Sequence, residues 1–313
     1  PEVVMFVSIA EWFELAGEAD VGLPGAVLRR ESKETEADEE TIRLRVSEAL
    51  AVMRAAVDEG MAIDEPSPSG LTGGRARRLV AAGPELLGPT FTSVLARAIA
   101  TLEVNARMGL IMATPTAGAA GVVPAVLLTL QESRGWSEDQ LIDAMLVAGG
   151  VGAVIAERAS ISGAGGGCQA ETGSAAAMAA AAVTWLEGGT REQVAHAIAL
   201  TLQGMLGLIC DPVAGLVEIP CVYRNATGAV NALAAAEMAL AGMDFPIPVD
   251  EVIDVMGEVG RKMDVRFRET ALGGLATTPT GQKIAAATGM DRLVQLQRRG
   301  RTDGESSARI GPS

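Results

Sequence analysis

A chain of 313 residues can bury one large core or two small ones; at 49% hydrophobic but only 3% aromatic, that core must be filled by Ala, Val, Leu, Ile and Met. The formal net charge of −14 argues against nucleic acid and against an anionic membrane surface, since both call for a surplus of Lys and Arg. Three cysteines, Cys168, Cys210 and Cys221, cannot all pair within one chain, which leaves core thiols, a reactive thiol or metal ligands.

Along the chain, residues 8–28 place Trp12, Phe13, Leu15 and Ala16 near one helical face. An acidic run follows, with six of the ten residues 31–40 acidic, and reads as a solvated face. From Glu39 to Met61 the apolar residues Ile42, Leu44, Val46, Leu50, Met53 and Val57 recur close to a period of 3.6 and predict a helix. The breaker Asp64-Glu-Pro-Ser-Pro-Ser-Gly70 predicts a linker, separating an N-terminal helical segment (1–66) from a larger domain (67–290). Beyond it, apolar periodic segments alternate with Gly/Pro loops.

Several boundaries carry capping chemistry. Ser137 with Gln140 forms a capping box for a helix beginning at Glu138. Gly188-Gly189 closes an Ala-rich helix, and Thr190 with Gln193 opens the next, which carries the only histidine, His196. The apolar stretches 119–130, 144–156 and 175–186 are shorter than the ~18–20 residues that span a bilayer, so they predict buried core helices. With no basic region ahead of an apolar run near the N-terminus, a cytoplasmic location is expected. Period-two alternation is scarce. The fold class expected is therefore mostly α: a single helical domain threaded by Gly/Pro-rich loops, followed by a disordered tail at 291–313.

Two segments stand apart from this helical background. One is Ser160-Ile-Ser-Gly-Ala-Gly-Gly-Gly-Cys168-Gln-Ala-Glu171, the other Cys210-Asp-Pro-Val-Ala-Gly-Leu-Val-Glu-Ile-Pro-Cys221-Val-Tyr-Arg-Asn225. A Gly run beside a cysteine lets backbone N–H groups crowd a negatively charged object, such as phosphate or cluster sulfide. All three cysteines fall in Gly/Pro-rich loops and none is expected mid-helix. A single buried cysteine is most often a small core hydrophobe. Three thiols without a histidine pair do not match the usual structural zinc patterns, and spacings of 41 and 10 intervening residues are not a generic ferredoxin signature. The residues alone leave a thiolate metal site and inert thiols both open.

Both segments resemble the signature stretches of the α chain, or catalytic domain, of bacterial iron–sulfur L-serine dehydratases. Further blocks resemble that family in the same order: Gly70-Leu-Thr-Gly-Gly74, Glu103-Val-Asn105 with Met108-Gly109, Pro115-Thr-Ala-Gly118, Asp250-Glu-Val-Ile-Asp254, and Glu269-Thr-Ala-Leu-Gly-Gly-Leu-Ala276 with Thr278-Pro-Thr-Gly281. The likeness covers roughly residues 6–285. It implies a mostly helical catalytic domain in which Cys168, Cys210 and Cys221 hold three irons of a [4Fe-4S] cluster, leaving the fourth iron as a Lewis acid. The implied reaction is that of a carbon–oxygen lyase, converting L-serine to pyruvate and ammonia, with serine catabolism and gluconeogenesis as its setting. The implied partners are a separate regulatory β chain and assembly as a homo-oligomer or heterodimer. One departure is visible: Gly165 stands where an acidic residue is expected inside the Gly run.

The base that removes the α proton is not evident. Polar candidates near the signatures are Thr72, Asn105, Thr114, Thr116, Ser160, Ser162, Glu171, Arg224 and Asn225. Arg224 suits a bidentate pair with a substrate carboxylate or, equally, an internal ion pair; Glu171 suits a base or a helix cap. His196, in an ordinary amphipathic segment, is expected to be structural. A pyridoxal phosphate lyase is opposed by the placement of the three lysines, Lys33, Lys262 and Lys283, away from the Gly run. A non-catalytic iron–sulfur protein and a related lyase acting on threonine or cysteine compete with the serine reading.

Overall fold

The computed structural model describes residues 5–290 apart from 19, 20, 84, 85 and 87, so the tail expected at 291–313 lies outside the described residues. The chain opens with α1 (Ile9–Glu18), α2 (Gly22–Thr35) and α3 (Glu39–Ala62). After the loop predicted at 64–70 come α4 (Arg75–Ala82), α5 (Gly88–Ala106), α6 (Val122–Arg134), α7 (Glu138–Arg158) and the single turn α8 (Gly163–Gly166). The last five are α9 (Ser174–Leu186), α10 (Arg191–Gln203), α11 (Cys221–Leu240), α12 (Val249–Lys262) and α13 (Pro279–Ala287). Among the described residues no strand forms; one isolated parallel bridge pairs Cys210 with Arg268. The expected mostly α class is what the chain adopts.

Local chemistry explains most boundaries. Both capping boxes form, with Ser137 accepting from the Gln140 N–H at 3.2 Å and Thr190 from the Gln193 N–H at 3.2 Å. The acidic run is split by function: Asp38 caps α3 by accepting from Thr41 N–H at 2.7 Å, and Glu39 and Glu40 lie in its first turn, where the helix dipole favours them. Residues 8–28 make two helices rather than one, because the backbone turns at Gly22, whose φ of +68° is one an L side chain rarely adopts.

The core is organised around α9. Every residue from Ser174 to Thr184 is buried, and α6, α7, α10 and α11 pack around it. A helix of alanines lets its neighbours approach closely, and glycines do the same elsewhere: a Cβ on Gly60 of α3 would lie 2.2 Å from the Ala100 carbonyl oxygen of α5. Buried Thr184 and Thr201 donate their hydroxyls to the carbonyls of Ala180 and Ala197, so the polar atoms in this core are satisfied within their own helices. From the N-terminal segment, Trp12 stacks on Phe6 with ring centroids 5.6 Å apart and donates its indole N–H to Leu23 O at 3.1 Å. Phe6, Trp12 and Met53 belong to the same apolar cluster as Leu127, Ile155 and Met256. A smaller cluster of Val213, Ala214 and Ala285 seats α13 on the loop that follows Cys210.

α7 is longer than the apolar stretch 144–156 suggested. At 21 residues it is, by length and composition, the one helix among the described residues able to cross a membrane. It packs against α2, α3 and α9, and Arg43 of α3 pairs with Asp139 at 3.3 Å and Asp143 at 2.5 Å on its N-terminal half. Those contacts are those of a core helix.

Candidate active site

The Gly-rich segment leaves α7 and turns sharply. Ser162 Oγ accepts from the Gly165 N–H at 3.0 Å and so opens α8. Gly167 follows with φ of +79°, and a Cβ there would meet Met263 Sδ at 2.6 Å and Leu208 O at 2.8 Å, so only glycine fits. Cys168 comes next, directly ahead of a π-helical turn, Gln169–Gly173, that runs into α9. π turns recur at functional sites because they re-aim side chains. Gln169 anchors this one, donating to Met256 O at 3.0 Å and accepting from Gly207 N–H at 2.9 Å.

The second segment arrives from the opposite side. Cys210 donates its N–H to Phe267 O at 2.7 Å and its carbonyl accepts from Glu269 N–H at 2.9 Å, which brings the 269–276 segment against it. Cys221 is the first residue of α11. Sequence reasoning placed all three cysteines in loops, whereas Cys168 and Cys221 stand at the starts of helical segments, where the local dipole favours a thiolate.

All three thiols are buried and unpaired by disulfides. The ligand atoms of Cys168, Glu171 and Cys210 all lie within 4.8 Å of one another, a grouping able to hold a metal ion. Hydrogen bonding from Cys210 holds the Cys168 thiol below its usual range, against burial and with help from the Arg224 guanidinium. Donating that bond, together with burial, pushes the Cys210 thiol up. Burial pushes the Cys221 thiol up, and the charges of Cys168 and Glu171 act on it in the same sense. Glu171 is itself raised by burial, an effect opposed by the Thr116 hydroxyl donating to its Oε1 and reinforced by Glu269.

Arg224, one turn into α11, is held by protein groups on both Nη atoms. Its guanidinium lies 3.4 Å from Cys168 Sγ, donates to Ile209 O at 2.8 Å and pairs with Asp211 at 2.9 Å, and Asp211 in turn accepts from Leu275 N–H at 2.7 Å. Asn225, fully buried at 0% exposure, donates to Gly118 O at 2.6 Å and Cys221 O at 2.9 Å and accepts from Gly121 N–H at 2.9 Å. It ties the 115–121 loop to the first turn of α11.

The remaining candidates divide. Ser160 and Ser162 line the Gly turn; a Cβ on Gly165 would lie 2.2 Å from Ser160 Oγ and 3.0 Å from Ser162 Oγ, so serine hydroxyls fill the space where an acidic side chain was expected. Thr114 is buried and its hydroxyl has no partner among the described residues. Thr72 faces a different group: with Ser67 and Ser69 it donates to the buried carboxylate of Glu218. Asn105, half-buried at the end of α5, makes no side-chain hydrogen bond among the described residues. His196 lies in α10, accepts from Phe245 N–H at 3.2 Å and lines a separate cavity with Phe13 and Ile247. Sequence reasoning did not single out Asp211, Glu218 or Glu269. Their signal was present: each is acidic inside a Gly- and apolar-rich block.

Fold and site together define a helical protein with a buried centre of thiols and carboxylates suited to a metal. The sequence model described as serine dehydratase alpha chain matches residues 18–276, and the chain belongs to that family. It is 50% identical over 283 residues to the probable L-serine dehydratase alpha chain of Bacillus subtilis, covering 90% of this chain and 94% of that protein. It is 41% identical to the L-serine dehydratase alpha chain of Peptoniphilus asaccharolyticus, covering 90% of this chain and 97% of the relative. The L-serine dehydratase of Streptomyces coelicolor is longer: at 42% identity the match covers 82% of this chain but 58% of that protein.

Proposed function

We propose that this chain is the catalytic component of an L-serine dehydratase, eliminating water from L-serine to give pyruvate and ammonia, with Cys168, Cys210 and Cys221 as ligands of a [4Fe-4S] cluster. The observation that carries the reading is the buried grouping of Cys168, Glu171 and Cys210, with buried Cys221 at the start of α11, inside the segment that matches the family. The donor set suits the group: thiolates are the ligands of iron–sulfur centres, and burying thiols beside two carboxylates against one guanidinium favours a cationic occupant. When bound, the cluster supplies a Lewis-acidic iron that eases departure of the substrate hydroxyl.

The protein's own residues do the rest. Arg224 faces Cys168 and, through Asp211, is held in one orientation, so it steadies the thiolate rather than reaching outward. Glu171, oriented by Thr116, is the candidate to take the proton from Cα. Ser160 and Ser162 present hydroxyls at the Gly turn that can orient a bound carboxylate, while Asn225 positions the 115–121 loop. Thr72 and Asn105 are proposed only as outer-wall residues. Loss of the α proton and the β hydroxide as water leaves 2-aminoacrylate, which tautomerises to an imine and hydrolyses to pyruvate and ammonia.

A second, regulatory chain is proposed as partner, supported by the alpha-chain names of the relatives matched almost end to end and by the longer single-chain relatives. A cytoplasmic setting and a role in serine catabolism belong to the same proposal. The test is anaerobic iron and sulfide analysis followed by a pyruvate assay with L-serine, L-threonine and L-cysteine. Brown protein that turns over L-serine, and that loses both iron and activity in each of Cys168→Ala, Cys210→Ala and Cys221→Ala, is expected. Iron-free protein active in air at full rate overturns the cluster assignment.

A further inference from the structure

Glu269 brings a carboxylate to the centre that nothing in the protein neutralises. Its backbone is fixed by the bond from its N–H to Cys210 O at 2.9 Å, and it takes φ of +61°, a left-handed conformation unusual for a glutamate. Strain of this kind persists where the surroundings enforce it and gathers at functional sites. Its side chain, half-buried, forms no hydrogen bond or ion pair among the described residues.

The position of that side chain is marked by Gly163. A Cβ at Gly163 would lie 2.9 Å from Cys210 Sγ, 3.1 Å from Glu171 Oε2 and 3.1 Å from Glu269 Oε2. A thiol and two carboxylate oxygens thus surround a point that glycine leaves open. Glu171 has its other oxygen, Oε1, occupied by Thr116, which leaves Oε2 facing the same space as Glu269. The guanidinium beside Cys168, Arg224, is engaged by Ile209 O, Cys168 and Asp211 and forms no ion pair with Glu269. Glu171 belongs to the metal grouping and is oriented by Thr116, so Glu269 is the carboxylate left to meet a cation that arrives with the ligand.

We propose that Glu269 receives the α-ammonium group of the amino-acid substrate and so selects amino acids over hydroxy acids and simple carboxylic acids. The proposal rests on the reading of the chain as an L-serine dehydratase and assigns a specificity-determining residue to it. An ammonium carries its donors and its charge together, so the carboxylate makes a charge-assisted hydrogen bond to it. A site built this way rejects an analogue that lacks the donor, because its acceptors are then left unpaired.

The test uses the intact protein, anaerobic and loaded, with L-alanine and propionate as ligands that cannot lose a hydroxyl. In the wild type L-alanine is expected to bind at least about tenfold more tightly than propionate by calorimetry, the scale of one hydrogen bond to a charged group. Glu269→Gln is expected to weaken L-alanine about 10- to 100-fold, leave propionate and the iron and sulfide content unchanged, and raise KM for L-serine more than it lowers kcat. Equal wild-type affinity for L-alanine and propionate overturns the proposal without any variant. So does Glu269→Gln with unchanged L-alanine affinity, or with lost iron, which would make Glu269 a ligand of the metal. Wild-type protein that neither turns over L-serine nor binds L-alanine refutes the serine reading itself, a different outcome from serine turnover without ammonium discrimination.

Discussion

Replacing Asn225 by Asp tests whether this buried amide is a strut rather than a reactant. The substitution keeps the shape and leaves an acceptor for Gly121 N–H, but it removes the donors to Gly118 O and Cys221 O and turns a carboxylate toward both carbonyls. A buried acceptor deprived of its donor costs about 1–3 kcal/mol. Cys221 O still receives the intrahelical bond from the residue 225 N–H, so its loss falls at the low end, and Gly118 O bears more. The expected total is about 3 kcal/mol. With a urea slope of about 3 kcal/mol/M for a chain of this size, the unfolding midpoint should fall by about 1 M, read by far-UV circular dichroism under anaerobic conditions. Gly118 lies against Glu171, a Cβ there being 2.6 Å from Oε1, so activity should decline along with stability. A midpoint within about 0.2 M of the wild type, with kcat reduced about a thousandfold, would refute the reasoning and make the amide a participant in the chemistry.

Gly60→Ala should destabilise by about 1–3 kcal/mol although alanine is the better helix former, because the new Cβ would sit 2.2 Å from Ala100 O on the α5 backbone; a thermal midpoint equal to or above that of the wild type contradicts this. His196→Ala should keep kcat within about twofold while costing about 1 kcal/mol, since the Phe245 N–H loses its acceptor; steady-state kinetics showing a loss of about a thousandfold would place a general base where none is argued.

Features written in neighbouring residues were legible in the sequence. The two capping boxes, the 3.6-residue period of α3, the breaker after it and the Ala-rich helix at the centre all depend on contacts within a few positions. The start of α7 at Glu138 was legible from its capping box, but not that one helix runs from there to Arg158, where Arg158 pairs with Asp254 of α12, about a hundred residues later in the chain. The cysteine blocks announced a centre, but the assignments inside it turned on pairings no spacing reveals. Arg224 is engaged by Asp211, which became visible only once the loop after Cys210 folded back on α11. Thr72 shares a family block with the centre yet belongs to Glu218. Glu269 faces Gly163 across more than a hundred residues of chain.

The bridge between Cys210 and Arg268 has a consequence for how the protein is made. The centre draws on Thr116, the turn before Cys168, the start of α11 and the segment carrying Glu269, so its closing piece leaves the ribosome after all three cysteines. A nascent chain that has not passed residue 269 carries the thiols without the edge that covers Cys210. Contacts of such long sequence separation form late, after the entropy of closing the intervening loops has been met by the helical core. The whole centre thus exists only once residue 269 has been made, and the interval before it is when the thiols stand most open to oxidation.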